Sequence, residues 1–296
     1  MAVPTRPPAP EPLPLPVTDN HAHLDIVRHG DSAGMPVGDA LDAAAAVGVT
    51  RVVQVACDVP SIRALPALLD AHPSVVGAVA IHPNDAARHA AAGDLDTAYR
   101  VVEAALADPR VRAVGETGLD YFRTELPGRG AQQDAFRWHI DLAKRTGRAL
   151  QIHDREAHAD VLRLLTEQGA PDRTVLHCFS GDAEVAREAV RRGYYLSYAG
   201  TVTFRSAGML REALTLTPLD QLLVETDAPY LAPHPWRGAV NASYLVPVTV
   251  RLIAEVKQVA VEALCEALEG NRRAVYGDWD GIPAGLSSPI RDPRGD

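Results

Sequence analysis

The chain has 296 residues, 47% of them hydrophobic and 23% charged, which is the balance of a soluble globular protein and leaves room for two small domains or one α/β barrel. A formal net charge of −9 argues against a broad basic face that coats duplex nucleic acid, although bound divalent cations and a local arginine cluster keep a nucleic-acid substrate open. No run reaches the ~20 apolar residues of a membrane span, and three scattered cysteines, Cys57, Cys178 and Cys265, without a CxxC spacing, argue against a disulfide framework or a cysteine zinc site and for a reducing cytoplasm.

Residues 1–16, MAVPTRPPAPEPLPLP, are too rich in proline for the core of a signal peptide and read as an extended or disordered leader. Strand-like apolar runs then alternate with helical patterns. In chain order they are VTDNHAHLD, VGDALDAAAAVG, RVVQVACD, SIRALPALLDAHP, VVGAVAIHP, DLDTAYRVVEAALADP, VRAVGETGLD, RGAQQDAFRWHIDLAKRTG, RALQIHD, EAHADVLRLLTEQG, TVLHCFSG, YYLSYAG and QLLVETDAP. Several helical patterns end in Gly or Pro, as helices do. Two further helical segments, SYLVPVTVRLIAEVKQ and AVEALCEALEGNRRAVYG, follow, and residues 278–296 read as a C-terminal tail. Eight β-rich runs alternating with helices predict the α/β class and a single (β/α)8 TIM-type barrel over residues 17–277. The alternative, a doubly wound open sheet, calls for a glycine-rich phosphate loop after the first strand, and none is present.

A barrel builds its site at the C-terminal ends of its strands. His21 and His23 close the first run, His82 the third, Glu116 and Asp120 the fourth, His153 the fifth, His177 the sixth, and Glu225 and Asp227 the eighth. Alternation in a strand places His21 and His23 on one face. Imidazoles and carboxylates converging in this way are the mixed donors that suit zinc, manganese or a similar divalent ion. So many candidates exceed the need of one ion and suit two ions about 3.5–4 Å apart that share a bridging carboxylate. The chain has only two lysines, Lys144 and Lys257, both in helical patterns, so Glu116 is a better bridge than a carboxylated lysine.

The series DNHAHLD, GETGLDYF, QIHDRE, HCFSG, YLSYAGTVTF, LLVETDAPYLAP with a following RG, and GNRRAVYG resembles, in order, the motifs of the TatD family. Its members are metal-dependent deoxyribonucleases among the amidohydrolase-like barrels. The resemblance runs from about Val17 to Gly277. It implies the metal ligands His21, His23, Glu116, His153, His177 and Asp227, and hydrolysis of DNA phosphodiesters, often from the 3′ end of single strands, with magnesium or another divalent ion. Ala22 stands where members often carry cysteine, and AVNASYLVP replaces the commoner asparagine-then-proline pattern after RG.

On this reading His21, His23 and Asp227 serve one ion, His153 and His177 the other, and Glu116 both; the ions are Mg, Mn or Zn. Asp227 doubles as the base, and Glu225 orients water, braces a ligand histidine or pairs with an arginine. Asp120 either supports a ligand or caps its loop. Arg155, His82, Arg237 and Arg123 are the candidates for phosphate contact, with Arg205 in a similar loop. Tyr121 and Phe122 either stack on a terminal base or pack against the barrel. The expected protein is a cytoplasmic monomer that needs no obligate protein partner and takes single-stranded DNA as substrate. Two rivals stand beside it: hydrolysis of a small ester, lactone or cyclic amide on the same scaffold, and a non-catalytic binding barrel.

Overall fold

The computed structural model describes residues 6–28, 31 and 34–278. Its strands are β1 (Val17–Ala22), β2 (Val49–Ala56), β3 (Val75–Val79), β4 (Val111–Asp120), β5 (Ala149–Arg155), β6 (Thr174–Leu176), β7 (Tyr195–Tyr198) and β8 (Leu222–Val224). Its helices are α1 (Val37–Ala46), α2 (Val59–Ala71), α3 (Pro83–Ala92), α4 (Leu95–Ala105), α5 (Leu126–Thr146), α6 (His158–Gln168), α7 (Ala183–Arg191), α8 (Gly208–Leu216), α9 (Val246–Lys257) and α10 (Val261–Tyr276). The eight strands form one sheet in the order β1 to β8, and a parallel bridge from Ala22 to Ala228 joins the first strand to the segment leaving the last. This is the nearly closed barrel of the (β/α)8 class that the alternation predicts.

Several strands stop earlier than their sequence patterns suggest. Because β6 ends at Leu176 and β8 at Val224, His177, Glu225 and Asp227 follow their strands. The backbone turns there: Cys178 and Asp227 take positive φ values of 42° and 55°. Helices α3, α7 and α8, of 10, 9 and 9 residues, are absent from the sequence reading.

By packing, the chain divides into two compact units, described in turn. One holds the described residues up to Gln54 together with Val175–Val275. Here β1 is buried along its whole length, and Ala22 packs against Val52 and Ala228. From residue 6 on, the proline-rich segment is packed. Leu13 is buried and donates its N–H to the Val47 carbonyl at 3.0 Å, the Pro7 carbonyl accepts from the Tyr244 hydroxyl at 2.6 Å, and the Pro12 carbonyl from Arg251 at 3.0 Å. Proline composition favours the extended backbone; docking of Leu13 and the two carbonyls is what it does not display. Residues 1–5 and 279–296, the outer leader and nearly all of the expected tail, lie outside the described residues.

The other unit holds Val55–Thr174 and the described chain from Tyr276. Strands β3, β4 and β5 pair in parallel, with a register shift between Val114 and Thr117. Gly115 and Gly118 allow this close approach: a Cβ at Gly115 would collide with Gln151, and one at Gly118, whose φ is 138°, with the His153 carbonyl oxygen. Helix α5 buries Phe136, His139 and Ile140. His139 donates Nδ1–H to the Ala135 carbonyl at 2.8 Å and accepts the Ile81 N–H on Nε2 at 3.1 Å, which fixes the backbone just before His82.

His139 is fully buried, and that burial pushes its pKa down to about 4. An unfolded chain would titrate this histidine near 6.5, so between about 6.5 and 4 the unfolded state binds the extra proton and stability falls with pH. The contribution is about 3 kcal/mol, present in full above pH ~6.5 and lost as pH drops towards ~4. Urea unfolding across this window should therefore show a decline in wild type that is flattened by about that amount in His139→Gln, which keeps an acceptor for Ile81. Equal slopes in the two proteins would place the loss elsewhere.

Candidate functional site

In the first unit, β1 and the residue just after it deliver His21 and His23, and the segment after β8 meets them. His21 Nε2 and His23 Nε2 lie 3.9 and 3.5 Å from Asp227 Oδ1. The two imidazoles sit edge to face with centroids 5.2 Å apart, as side chains two apart on one face should. His177 stacks on His21 with centroids 3.9 Å apart and planes 14° from parallel. Glu225 Oε1 accepts the Nδ1–H of His177 at 3.1 Å and the Cys178 N–H at 2.8 Å. That bond places the His177 proton on Nδ1 and leaves the Nε2 lone pair for a cation.

Burial pushes the Asp227 carboxyl upward, but the hydrogen bond from His23 and the fields of His21, His177 and His23 outweigh it and hold Asp227 below the usual carboxylate range. Its left-handed backbone is one that aspartate tolerates and most residues do not. That conformation is held in place: Asp227 N–H donates to the His21 carbonyl at 2.9 Å, and Asn241 Nδ2 donates to the Thr226 and Tyr230 carbonyls at 2.9 and 2.6 Å. Asn241 belongs to the AVNASYLVP stretch that departs from the family pattern, and the structure makes it a buried brace of the loop carrying Asp227.

Asp19 is the residue that sequence reasoning passed over. It is fully buried, accepts the Thr226 N–H on Oδ1 at 2.9 Å and the Thr226 hydroxyl on Oδ2 at 2.6 Å, and takes the His21 N–H at 3.3 Å. Burial raises its pKa to about 6 against the lowering effect of these hydrogen bonds and one from Ser243. The signal was its place two residues before His21, on the same strand face.

In the second unit, β4 and β5 bring Glu116, Asp120 and His153 together. His153 Nδ1 lies 3.0 Å from Glu116 Oε2, and His153 Nε2 lies 3.4 Å from Asp120 Oδ2. His82 caps α3: its Nδ1 accepts the Asn84 N–H at 3.1 Å, so the neutral ring carries its proton on Nε2, 4.0 Å from Glu116 Oε2. Asp120 contacts His153 and caps its loop by accepting the Arg123 N–H at 2.8 Å. Burial raises its pKa, but hydrogen bonds from His153, the Arg123 N–H and Asn84 hold it well below the usual carboxylate range.

The arginines are distributed differently. Half-buried Arg155 lies over the Phe122 ring at 4.0 Å, and exposed Arg237 lies over Phe204 at 4.8 Å. Arg123 and Arg205 are exposed. Tyr121 is half-buried and bonded through its hydroxyl to Asp160 at 2.7 Å, so it packs as part of the scaffold, whereas Phe122 is exposed.

The donor chemistry fits divalent cations. His21, His23 and Asp227 each offer an atom within 4.8 Å of the others, and so do His82, Glu116 and His153. His153, set between two carboxylates, marks a place where positive charge is favoured. A (β/α)8 barrel with such clusters at its strand ends has the arrangement a metal-dependent barrel hydrolase needs. The family model described as TatD related DNase matches residues 18–277. The chain is 47% identical over 267 residues to the uncharacterized metal-dependent hydrolase TatD of Mycobacterium tuberculosis, across 88% of this chain and 98% of that one. It is 38% identical over 259 residues to the uncharacterized metal-dependent hydrolase YcfH of Escherichia coli K12, across 86% and 93%. The crystal structure of YjjV, a TatD homologue from the same bacterium, superposes with a TM-score of 0.80 at 26% identity, across 88% and 98%. The chain belongs to the TatD-related DNase family, and it is a metal-dependent hydrolase.

Through the His21 N–H and Thr226, Asp19 is placed to position the candidate ligands His21 and Asp227. Asp19→Asn keeps the shape but turns one acceptor into a donor facing the Thr226 hydroxyl or N–H. Its affinity for Mn2+ or Zn2+, measured by chelator competition, should fall about 10- to 100-fold while circular dichroism stays native. Unchanged metal affinity in the folded variant would make the clamp purely structural.

Proposed function

We propose that the protein hydrolyses phosphodiester bonds of DNA, shortening single strands from the 3′ end with two divalent cations, magnesium, manganese or zinc. The observation that carries this reading is the pair of histidine–carboxylate clusters in which Glu116 supplies the acid that a strand-end lysine supplies in other binuclear hydrolases. Both lysines are engaged elsewhere: Lys144 Nζ donates to the Gln168 carbonyl at 2.6 Å, and Lys257 Nζ to the Thr217 carbonyl at 2.7 Å and its neighbours. Family membership supports the same chemistry.

His177 stacks on His21 and so goes with the first ion, not with the second as expected from the sequence. His21, His23 and Asp227 hold one ion with His177 beside them, and Glu116 and His153 hold the other in place of the shared role expected of Glu116. Bound divalent ions supply Lewis acidity toward phosphoryl oxygens and lower the pKa of water. The chain does the rest. Asp227 takes the proton from the attacking water. Glu225 and Asp120 fix the rings of His177 and His153. His82 presents Nε2–H as a donor to a phosphate oxygen, because the Asn84 N–H occupies Nδ1. Arg155, Arg123 and Arg237 counter the charge of the backbone phosphates. The reading is completed by a cytoplasmic protein with no obligate protein partner; among the described residues no helix is long and apolar enough to cross a membrane.

The test is degradation of a 5′-labelled single-stranded oligonucleotide with Mg2+, Mn2+ or Zn2+, comparing wild type with Asp227→Asn. Wild type should give a ladder shortening from the 3′ end only with metal, and the variant should be slower by on the order of 10²–10⁴-fold. Folded, metallated wild type that leaves DNA intact but opens a small ester or lactone would replace this reading with the rival on the same scaffold.

A further inference from the structure

An exposed phenylalanine is ordinary when it sits alone on a mobile surface. Phe122 is 57% exposed, yet the turn that carries it is tied down by hydrogen bonds on both sides of the ring. Asp120 Oδ1 accepts the Arg123 N–H at 2.8 Å, and the Tyr121 N–H donates to the Arg155 carbonyl at 2.9 Å. The Thr124 hydroxyl donates to Asn84 Oδ1 at 2.9 Å and accepts from Gln132 Nε2 at 2.8 Å, while Arg129 holds the Tyr121 carbonyl at 3.1 Å. The tip therefore presents its ring with little conformational freedom left to lose.

What lies behind the ring is equally specific. Arg155 ends β5 directly opposite Asp120 in register, and its guanidinium sits 4.0 Å from the Phe122 centroid. The cation faces the negative π surface, so an aromatic ring and a delocalised positive charge stand in one stack. Asp120, two residues before Phe122, lies 3.4 Å from His153 Nε2, which places this stack next to the proposed reaction centre. The neighbouring Tyr121 is fixed by Asp160 and Gln133 and has Arg129 over its own ring at 4.2 Å. Of the two adjacent aromatics, one serves the scaffold and the other faces solvent.

We infer that Phe122, backed by Arg155, is a stacking platform for a nucleobase near the scissile phosphate. This rests on the proposed DNA hydrolysis and deepens it by naming what holds the strand end. The base presents a π face to the ring, and the guanidinium offers its N–H groups to the phosphate of the same strand. Stacking reads the face of a base rather than its edge, so the platform accepts all four bases with weak preference.

The experiment compares an all-base oligonucleotide with three that carry an abasic residue at the last, second-last or third-last nucleotide. Wild type with metal should lose about 5- to 150-fold in kcat/KM for one abasic position, mainly through KM. Phe122→Ala should erase that discrimination while cutting the matching abasic oligonucleotide as fast as wild type does. Phe122→Leu keeps apolar bulk without a π face and should behave like alanine, and Phe122→Trp should preserve the discrimination. Full discrimination in Phe122→Ala, with metal-dependent cutting intact, overturns the platform and leaves the nuclease reading standing. Failure of metallated wild type to cut any of the four overturns the DNA reading and the platform with it.

Discussion

Asp19 binds the start of the barrel to its end. Its carboxylate sits in β1 with no measurable exposure and takes the backbone N–H and the hydroxyl of Thr226, the residue between Glu225 and Asp227. A buried carboxylate is costly unless its oxygens are filled, and here hydrogen bonds from Thr226 and His21 fill them. Around this clamp the rest of the first cluster is arranged. Asn20 reaches the Val224 carbonyl at 2.8 Å, His23 N–H reaches the Ala228 carbonyl at 2.8 Å, and Asp227 N–H reaches the His21 carbonyl at 2.9 Å. The left-handed backbone at Asp227 is thereby over-determined, which is the condition under which a strained conformation persists.

The second cluster is built by a different device. There the backbone itself is brought close, with glycines at 115 and 118 removing the Cβ atoms that would collide with β5 on either side of Glu116. Glu116 and His153 meet because the strands that carry them can approach at that point. His139 steadies the neighbouring turn from α5 through the Ile81 N–H. In both clusters a buried carboxylate sets the direction of a candidate ligand histidine. Glu225 does this for His177 and Asp120 for His153, each turning a ring by holding one of its nitrogens.

The barrel was legible because parallel strands buried on both faces leave continuous apolar runs, and these alternate with helical patterns along the whole chain. The candidate ligands were legible because barrel geometry gathers whatever closes those runs. Less visible were groups whose partners lie far away in sequence. Asp19 and Thr226 are separated by 207 positions, so the acid reads as a common polar neighbour of a histidine. Asn241 reads as a loop residue, although its amide spans two carbonyls of the Asp227 loop. The proline-rich segment announces an extended backbone but not that its carbonyls accept from Tyr244 and Arg251.

Net charge explains why the nucleic-acid reading had to come from particular residues. A chain at −9 cannot attract a polyanion by its overall field at any distance beyond a Debye length of ~8–10 Å, so attraction must be local. Two of the arginines near strand ends are held against aromatic rings, Arg155 on Phe122 and Arg237 on Phe204. A guanidinium on a ring is partly stripped of water on one side while its edge N–H groups remain directed outward. Such a group binds phosphate with fixed geometry and at less cost in side-chain entropy than a free lysine. With only two lysines, both tied to carbonyl groups, the chain has set aside the flexible cation that most duplex-coating surfaces use.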